Sequence, residues 1–300
     1  MNVFTGDHYY SNVIIYSFVT FFGSIAFYRT ITEIYSCGKT VALISSFLIP
    51  SFLFWTSGMY KDGFIFLFMS LAVFQTNLWM TEKKSGLRRL FIIMLCLASI
   101  FLLRTYVALL LAPALAGWLL SSRSGKKGTL IFPLLYLFLI STVLILRFID
   151  PSLDILKIMA SWQNAFLKLP ANSAIHAETL EPTINGFLRN LPQALNFGFL
   201  RPYLWEQKGW QYFPYALEIA ACYFLILIFI LRKQAATNQQ IAFRLFCFFL
   251  VTSAWLFIGY TVHIIGAITR YKSIFLPFLI APLICSVNWK SLIYIKKINL

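Results

Sequence analysis

Residues 50–63, PSFLFWTSGMYKDG, decide how this chain is read. An apolar run leads into the stretch, aromatic residues sit along it, and Lys61 and Asp62 interrupt the hydrophobic pattern before a second apolar run starts at Gly63. A charged pair in so short a turn between two hydrophobic spans marks a tight loop of a membrane protein.

Composition agrees. Sixty per cent of the 300 residues are hydrophobic and 12% are charged, whereas soluble domains run closer to half and a quarter. With 31 Phe there is too little polar surface to coat a globule, so a soluble fold is excluded. The net charge of +15 belongs to basic residues flanking membrane spans rather than to a nucleic-acid surface, and no nucleic-acid partner is expected. The first ten residues, MNVFTGDHYY, lack a basic segment of the kind that opens a cleavable signal peptide, so the first span serves as the anchor. The five cysteines, Cys37, Cys96, Cys222, Cys247 and Cys285, are isolated, without metal or redox spacing, and read as small core hydrophobes.

Nine spans are predicted, at 12–28, 40–57, 63–80, 89–103, 105–120, 129–147, 215–231, 241–260 and 273–288. The fold class is therefore all-α: a single polytopic membrane domain over 1–300, with about nine transmembrane helices and one large loop at 148–214. Residues 89–120 decide the count. As one helix they would measure about 48 Å, against a hydrocarbon core of roughly 30 Å. They would also bury Arg104 at its centre, at about 2.5–3.5 kcal/mol. As two spans they place the basic loops around Lys83–Arg89 and Arg123–Lys127 on one side, as the positive-inside rule asks. Orientation follows. Fifteen Lys and Arg then fall on the cytoplasmic side, five on short outer segments and five in the long loop, while eight of the ten acids lie outside. The chain is expected in a cell (inner) membrane, amino terminus outside and carboxyl terminus cytoplasmic.

The long loop holds two amphipathic pieces. In 152–168, Leu153, Leu156, Met159, Trp162 and Phe166 recur at helical spacing; the helix lies either on the membrane interface or on the protein. Residues 184–200 form the second, followed by the aromatic-rich RPYLWEQKGWQYFPY.

Ionisable residues that the positive-inside rule leaves over gather on the predicted outer face: Asp7, His8, Lys61, Asp62, Arg104, Glu178, Arg201, Glu206, His263, Arg270 and Lys272. An outward-facing site is expected. Arg104, beside Tyr106 in LLRTY, either forks onto a phosphate or snorkels to the interface. His263, Arg270 and Lys272, with Gly266 among them, read either as a site for a lipid phosphate or as interfacial anchors. Asp7 and Asp62 are the candidate general bases, although Asp62 has Lys61 beside it as a local partner. His8, His176 and His263 are far apart in sequence, so no metal constellation is visible and no cofactor is called for.

The pieces PSFLFWTSGMYKDG, LLRTYVALLLAPAL, LRPYLWE and GAITRYKSIFLPFL resemble segments of bacterial multi-pass proteins related to the GT-C glycosyltransferases, the protein-mannosyltransferase-like, family 39-type enzymes and their relatives. Trp55, Thr56, Ser57, Gly58, Lys61 and Asp62 match that group's turn after an apolar span. Arg270, Tyr271, Lys272 and Pro277 match its segment before the last span. The resemblance implies sugar transfer from a polyprenyl-phosphate donor on the outer face, with an outer Asp as base and Lys61, Arg104, Tyr106, Arg201, His263, Arg270, Tyr271 and Lys272 around the lipid phosphate and substrate. Such proteins carry a large first outer loop after a first span. Here about eleven residues precede the first span, so the chain reads as shortened at its amino terminus. A transporter or flippase for a lipid-linked glycan and a non-catalytic membrane scaffold are the alternatives.

Overall fold

The computed structural model describes residues 8–35, 37–82, 86–125, 128–206 and 209–289, and Asp7 lies outside them. Its helices are α1 (Tyr9–Ile34), α2 (Lys39–Phe47), α3 (Pro50–Ser57), α4 (Lys61–Thr81), α5 (Gly86–Leu103), α6 (Thr105–Arg123) and α7 (Gly128–Ile149). After these come α8 (Ile155–Leu167), α9 (Ile184–Leu195), α10 (Phe213–Arg232), α11 (Asn238–Thr261), α12 (Ile265–Ser273) and α13 (Leu276–Ile284). No strand occurs among the described residues, where the β pairing consists of two isolated bridges, Ala174 with Ile264 and Lys233 with Val287.

Seven helices, α1, α4, α5, α6, α7, α10 and α11, are long and apolar enough to cross a membrane. The other two predicted spans are broken: α2 and α3 meet at 51°, and α12 and α13 at 52°. The first break follows from Pro50. Its ring has no N–H and pushes Ile49 out of the helical region, to φ −81° and ψ 115°. The last span was expected at 273–288, but its helical course begins at Ile265, so Arg270 and Lys272 belong to the broken span rather than to a loop before it.

Large apolar side chains cover the outside of the bundle as well as filling its core. Phe18, Phe22, Phe91, Leu102, Leu134 and Phe138 are exposed, while Thr20, Ser24, Thr30, Ser70 and Thr76 are buried. The hydroxyls of Thr20, Thr30 and Thr76 donate to the carbonyl four residues back, so these small polar groups are satisfied within their own helices. Outward apolar chains and inward small residues suit a hydrocarbon solvent. The molecule is thus a multi-pass helical membrane protein.

The two-span reading of 89–120 holds. Trp79, near the end of α4, meets both Gly86 at the start of α5 and Arg123 at the end of α6: a Cβ on Gly86 would lie 3.0 Å from the indole nitrogen, and the Arg123 guanidinium is 5.9 Å from the ring centre. The chain therefore reverses at Arg104. Helix α11 is the hub, packing on α6, α7, α8, α9, α12 and α13. A chain of rings joins the layers: Trp118 stacks on Phe246, Phe246 meets Phe278, Phe278 meets Phe27, and Phe66 links Phe27 to Phe52.

The amphipathic pieces lie on the protein. Asp154 caps α8 by accepting from the Leu156 N–H at 3.1 Å. Helix α8 buries Ala160 and Gln163 and sets Trp162 edge-on to Phe257 of α11 at 5.6 Å. Helix α9 ends at Leu195 and runs into a π-turn at Asn196–Leu200. That turn crosses α11 where two glycines meet: a Cβ on Gly198 would fall 2.2 Å from the Trp255 carbonyl oxygen, and one on Gly259 2.0 Å from that of Ala194.

Candidate functional site

The 50–63 stretch ends in a turn that α1 holds from the side. The Tyr16 hydroxyl donates to the Tyr60 carbonyl and accepts from the Gly63 N–H at 3.0 Å. A side chain on Gly63 would meet that hydroxyl at 2.3 Å, so glycine is required there. The turn sends neighbouring residues in opposite directions. Lys61 is exposed, while Asp62, in the first turn of α4, has no exposed surface. A helix N-terminus favours a carboxylate, but its effect is small beside what surrounds Asp62.

Asp62 lies between two arginines. Arg104 Nη1 is 2.9 Å from its Oδ1, and Arg270 Nε donates to its Oδ2 at 2.6 Å. These residues are far apart in sequence and meet because three features converge at one end of the bundle: the turn into α4, the reversal between α5 and α6, and α12. Aromatic faces back both guanidinium groups. Arg104 lies 4.1 Å from the Tyr271 ring centre; Arg270 lies 4.3 Å from that of Tyr60 and 5.7 Å from that of Trp55. Two cations on one carboxylate leave the cluster with net positive charge.

Beside it opens a cavity of about 290 Å³, walled by Arg104, Tyr106, Trp162, Phe166, Phe257 and Tyr271 among others. Tyr106 stacks on Phe257 at 4.6 Å. The wall is aromatic and apolar, with the Arg104 guanidinium as its charged element.

Other expected members lie apart from this pair. Arg270 and Lys272 were expected to hold one phosphate together. They are two apart on a helix, and such positions do not share a face. Lys272 is buried on the far side, where its Nζ donates to the Arg201 carbonyl at 3.0 Å and sits 4.5 Å from the Trp255 ring centre. Arg201 donates to Glu206 at 2.6 Å, and Glu206 also accepts from the Tyr203 N–H, so this guanidinium is already neutralised. His263 is buried in the link between α11 and α12, where its carbonyl accepts from the Ile175 N–H at 2.8 Å and burial lowers the imidazole pKa. Gly266 faces the Tyr212 hydroxyl. Lys61 is not Asp62's partner; the two arginines are. Both carboxylate oxygens of Asp62 are engaged by guanidinium groups.

Two contributors were not foreseen. Tyr16 sets the turn from a remote helix. Glu218 had been counted with the outer acids, but it lies within α10 and accepts from the Ser51 N–H at 3.2 Å, at the break between α2 and α3. Its signal was present: a lone carboxyl in an apolar run marks a polar partner inside the bundle. Among the described residues no three His, Cys, Asp or Glu side chains group as a metal site would need. Comparison with protein-family models, with curated proteins and with solved structures gives no match in any of the three.

Proposed function

We propose that this is a glycosyltransferase-like protein of a cell membrane, working on the outer face and taking a sugar from a polyprenyl-phosphate donor for cell-surface glycan assembly. The observation that supports this most is the pair Arg104 and Arg270 on one buried carboxylate, beside an aromatic-walled cavity. Paired guanidinium groups in excess of local negative charge suit a phosphate, and the apolar wall suits the first units of a lipid chain. In this reading Asp62 sets the spacing of the two arginines and Tyr271 backs Arg104. Lys272 and Arg201 brace the loop on the far side of α12, and Asp7 is the candidate base for the acceptor.

The test is sugar transfer from a polyprenyl-phosphate sugar by the full chain in reconstituted vesicles. Arg104→Ala and Arg270→Ala should each lower transfer by at least about tenfold, the equivalent of about 1.4 kcal/mol of lost phosphate binding. Unchanged transfer in both variants would remove the phosphate assignment. A second reading, transport or flipping of a lipid-linked glycan, draws on a different observation. Two discontinuous helices pack together inside the bundle, with Glu218 at one break, and broken helices frame substrate sites in many transporters. Movement of the labelled lipid across the same vesicles without transfer would favour it.

A further inference from the structure

At the end of the bundle opposite Asp62, two cysteines distant in sequence face each other. Cys37 lies in the link between α1 and α2, and Cys285 just after α13. Their sulfurs are 2.7 Å apart, both as free thiols. That is only about 0.7 Å more than a disulfide bond of roughly 2.05 Å.

The approach is built by the backbone rather than by two flexible side chains. The link between α10 and α11 holds the Cys285 segment, and the first turn of α11 holds the end of α1. Gln234 donates its N–H to the Ser286 carbonyl at 2.9 Å and its side-chain amide to the Val287 carbonyl at 3.1 Å. From the start of α11, Gln240 donates to the Ile34 carbonyl at 3.1 Å. Both cysteines are half-buried and line a cavity of about 390 Å³ shared with Gln234, Gln240 and Trp289, so a small reagent can reach them. The remaining cysteines, Cys96, Cys222 and Cys247, are buried.

We propose that Cys37 and Cys285 form a reversible disulfide site, oxidised by a low-molecular-weight disulfide of the glutathione class. The Cys37 thiolate attacks one sulfur of the reagent, forming a mixed disulfide and releasing one thiolate, which takes up a proton. Cys285 then loses its proton and attacks the Cys37 sulfur, displacing the second small thiolate. Two protein thiols and one small disulfide become one protein disulfide and two small thiols. The roles follow from asymmetry: contact with the Cys285 thiol lowers the Cys37 pKa, which favours Cys37 as the attacking thiolate. The bond would tie the start of the first bent pair to the end of the second. By the charge asymmetry this end faces the cytoplasm, where disulfides are transient and redox-sensing rather than permanent.

The experiment treats the full chain in detergent micelles with oxidised glutathione, then denatures it, counts free thiols by maleimide mass-tagging and maps cross-linked peptides. Five tags before oxidation should become three, with one linked peptide pair containing Cys37 and Cys285 and lighter by two hydrogens. Dithiothreitol should restore five tags. Cys37→Ser and Cys285→Ser should each show no oxidant-dependent cross-link. Five tags after oxidation, glutathione adducts without a linked peptide, or a link to any other cysteine would overturn the proposal. The peptide map comes from the unmodified sequence, so the result stands even if a serine variant fails to fold.

Discussion

The two bent helix pairs have nearly the same angle, 51° and 52°, yet they resolve their breaks differently. In α12–α13 the break closes on itself: the Phe275 N–H donates to the Lys272 carbonyl at 3.0 Å, and Leu279 to the Phe275 carbonyl at 3.2 Å. The α2–α3 break has local bonds too, Leu48 to the Ile44 carbonyl at 3.0 Å and Leu53 to the Ile49 carbonyl at 2.9 Å, but its Ser51 N–H is taken by Glu218 of a distant helix, α10. Where no water can satisfy a freed amide, the second solution couples α3 to α10 as well as to its own chain. The pairs also differ in what they bring to the site. The first leads to Trp55, Tyr60 and Asp62, and the second carries Arg270 and Tyr271. The ion pair between Asp62 and Arg270 fastens the second pair to the start of α4, where the first pair leads.

The largest effect should come from cutting that fastening. Asp62→Ala leaves the Arg104 and Arg270 guanidinium groups facing each other without their shared anion, and should cost about 3–5 kcal/mol of stability. Arg270→Ala leaves Asp62 paired with Arg104 and should cost less, about 1.5–3 kcal/mol. Thermal unfolding in micelles, with Asp62→Ala/Arg270→Ala completing a double-mutant cycle, measures the coupling. An Asp62→Ala variant as stable as the parent would mean that α12 is joined to the start of α4 by packing alone.

A smaller change should separate the breaks. Glu218→Leu strands the Ser51 N–H in an apolar setting, at about 1–3 kcal/mol, whereas Glu218→Gln keeps an acceptor and should recover most of the loss. Proteolysis of the 48–50 segment should rise in Glu218→Leu with no matching rise at 274–275. Equal sensitivity at both breaks would erase the distinction.

Why the spans could be read from sequence and the breaks could not follows from the same residues. Apolar runs and basic flanks act over many residues, so the nine segments and the reversal at Arg104 were visible. Pro50 and Pro277 were visible as well, but whether a proline kinks a span or splits it depends on what satisfies the freed amides, and Glu218 lies 167 residues from Ser51. The site was legible in the same partial way. Asp62, Arg104 and Arg270 could be listed as candidates from their places at span ends. Their meeting on one carboxylate needed three elements to converge, and local adjacency pointed instead to Lys61. The same limit hid the cysteines, since spacing rules reach neighbours and Cys37 and Cys285 are 248 residues apart.

The smallest effect concerns how the second pair is approached. His263 sits between α11 and α12, where the loop at 173–175 pairs with 263–265. Burial lowers its pKa below the usual histidine value of about 6.5. The unfolded chain therefore binds this proton more readily than the folded one, and His263 favours folding fully only above its ordinary pKa. Its contribution declines as pH falls through that value toward the lower folded one. Unfolding midpoints measured in micelles from about pH 7.5 down to about pH 5, a range that brackets the free imidazole, should fall more steeply for the parent than for His263→Asn. Because His263 sits at the second pair, this acid sensitivity should appear as earlier exposure of the 263–265 link than of the 48–50 break. Parallel acid profiles for parent and variant would mean that the imidazole titrates as freely in the folded chain as in the unfolded one.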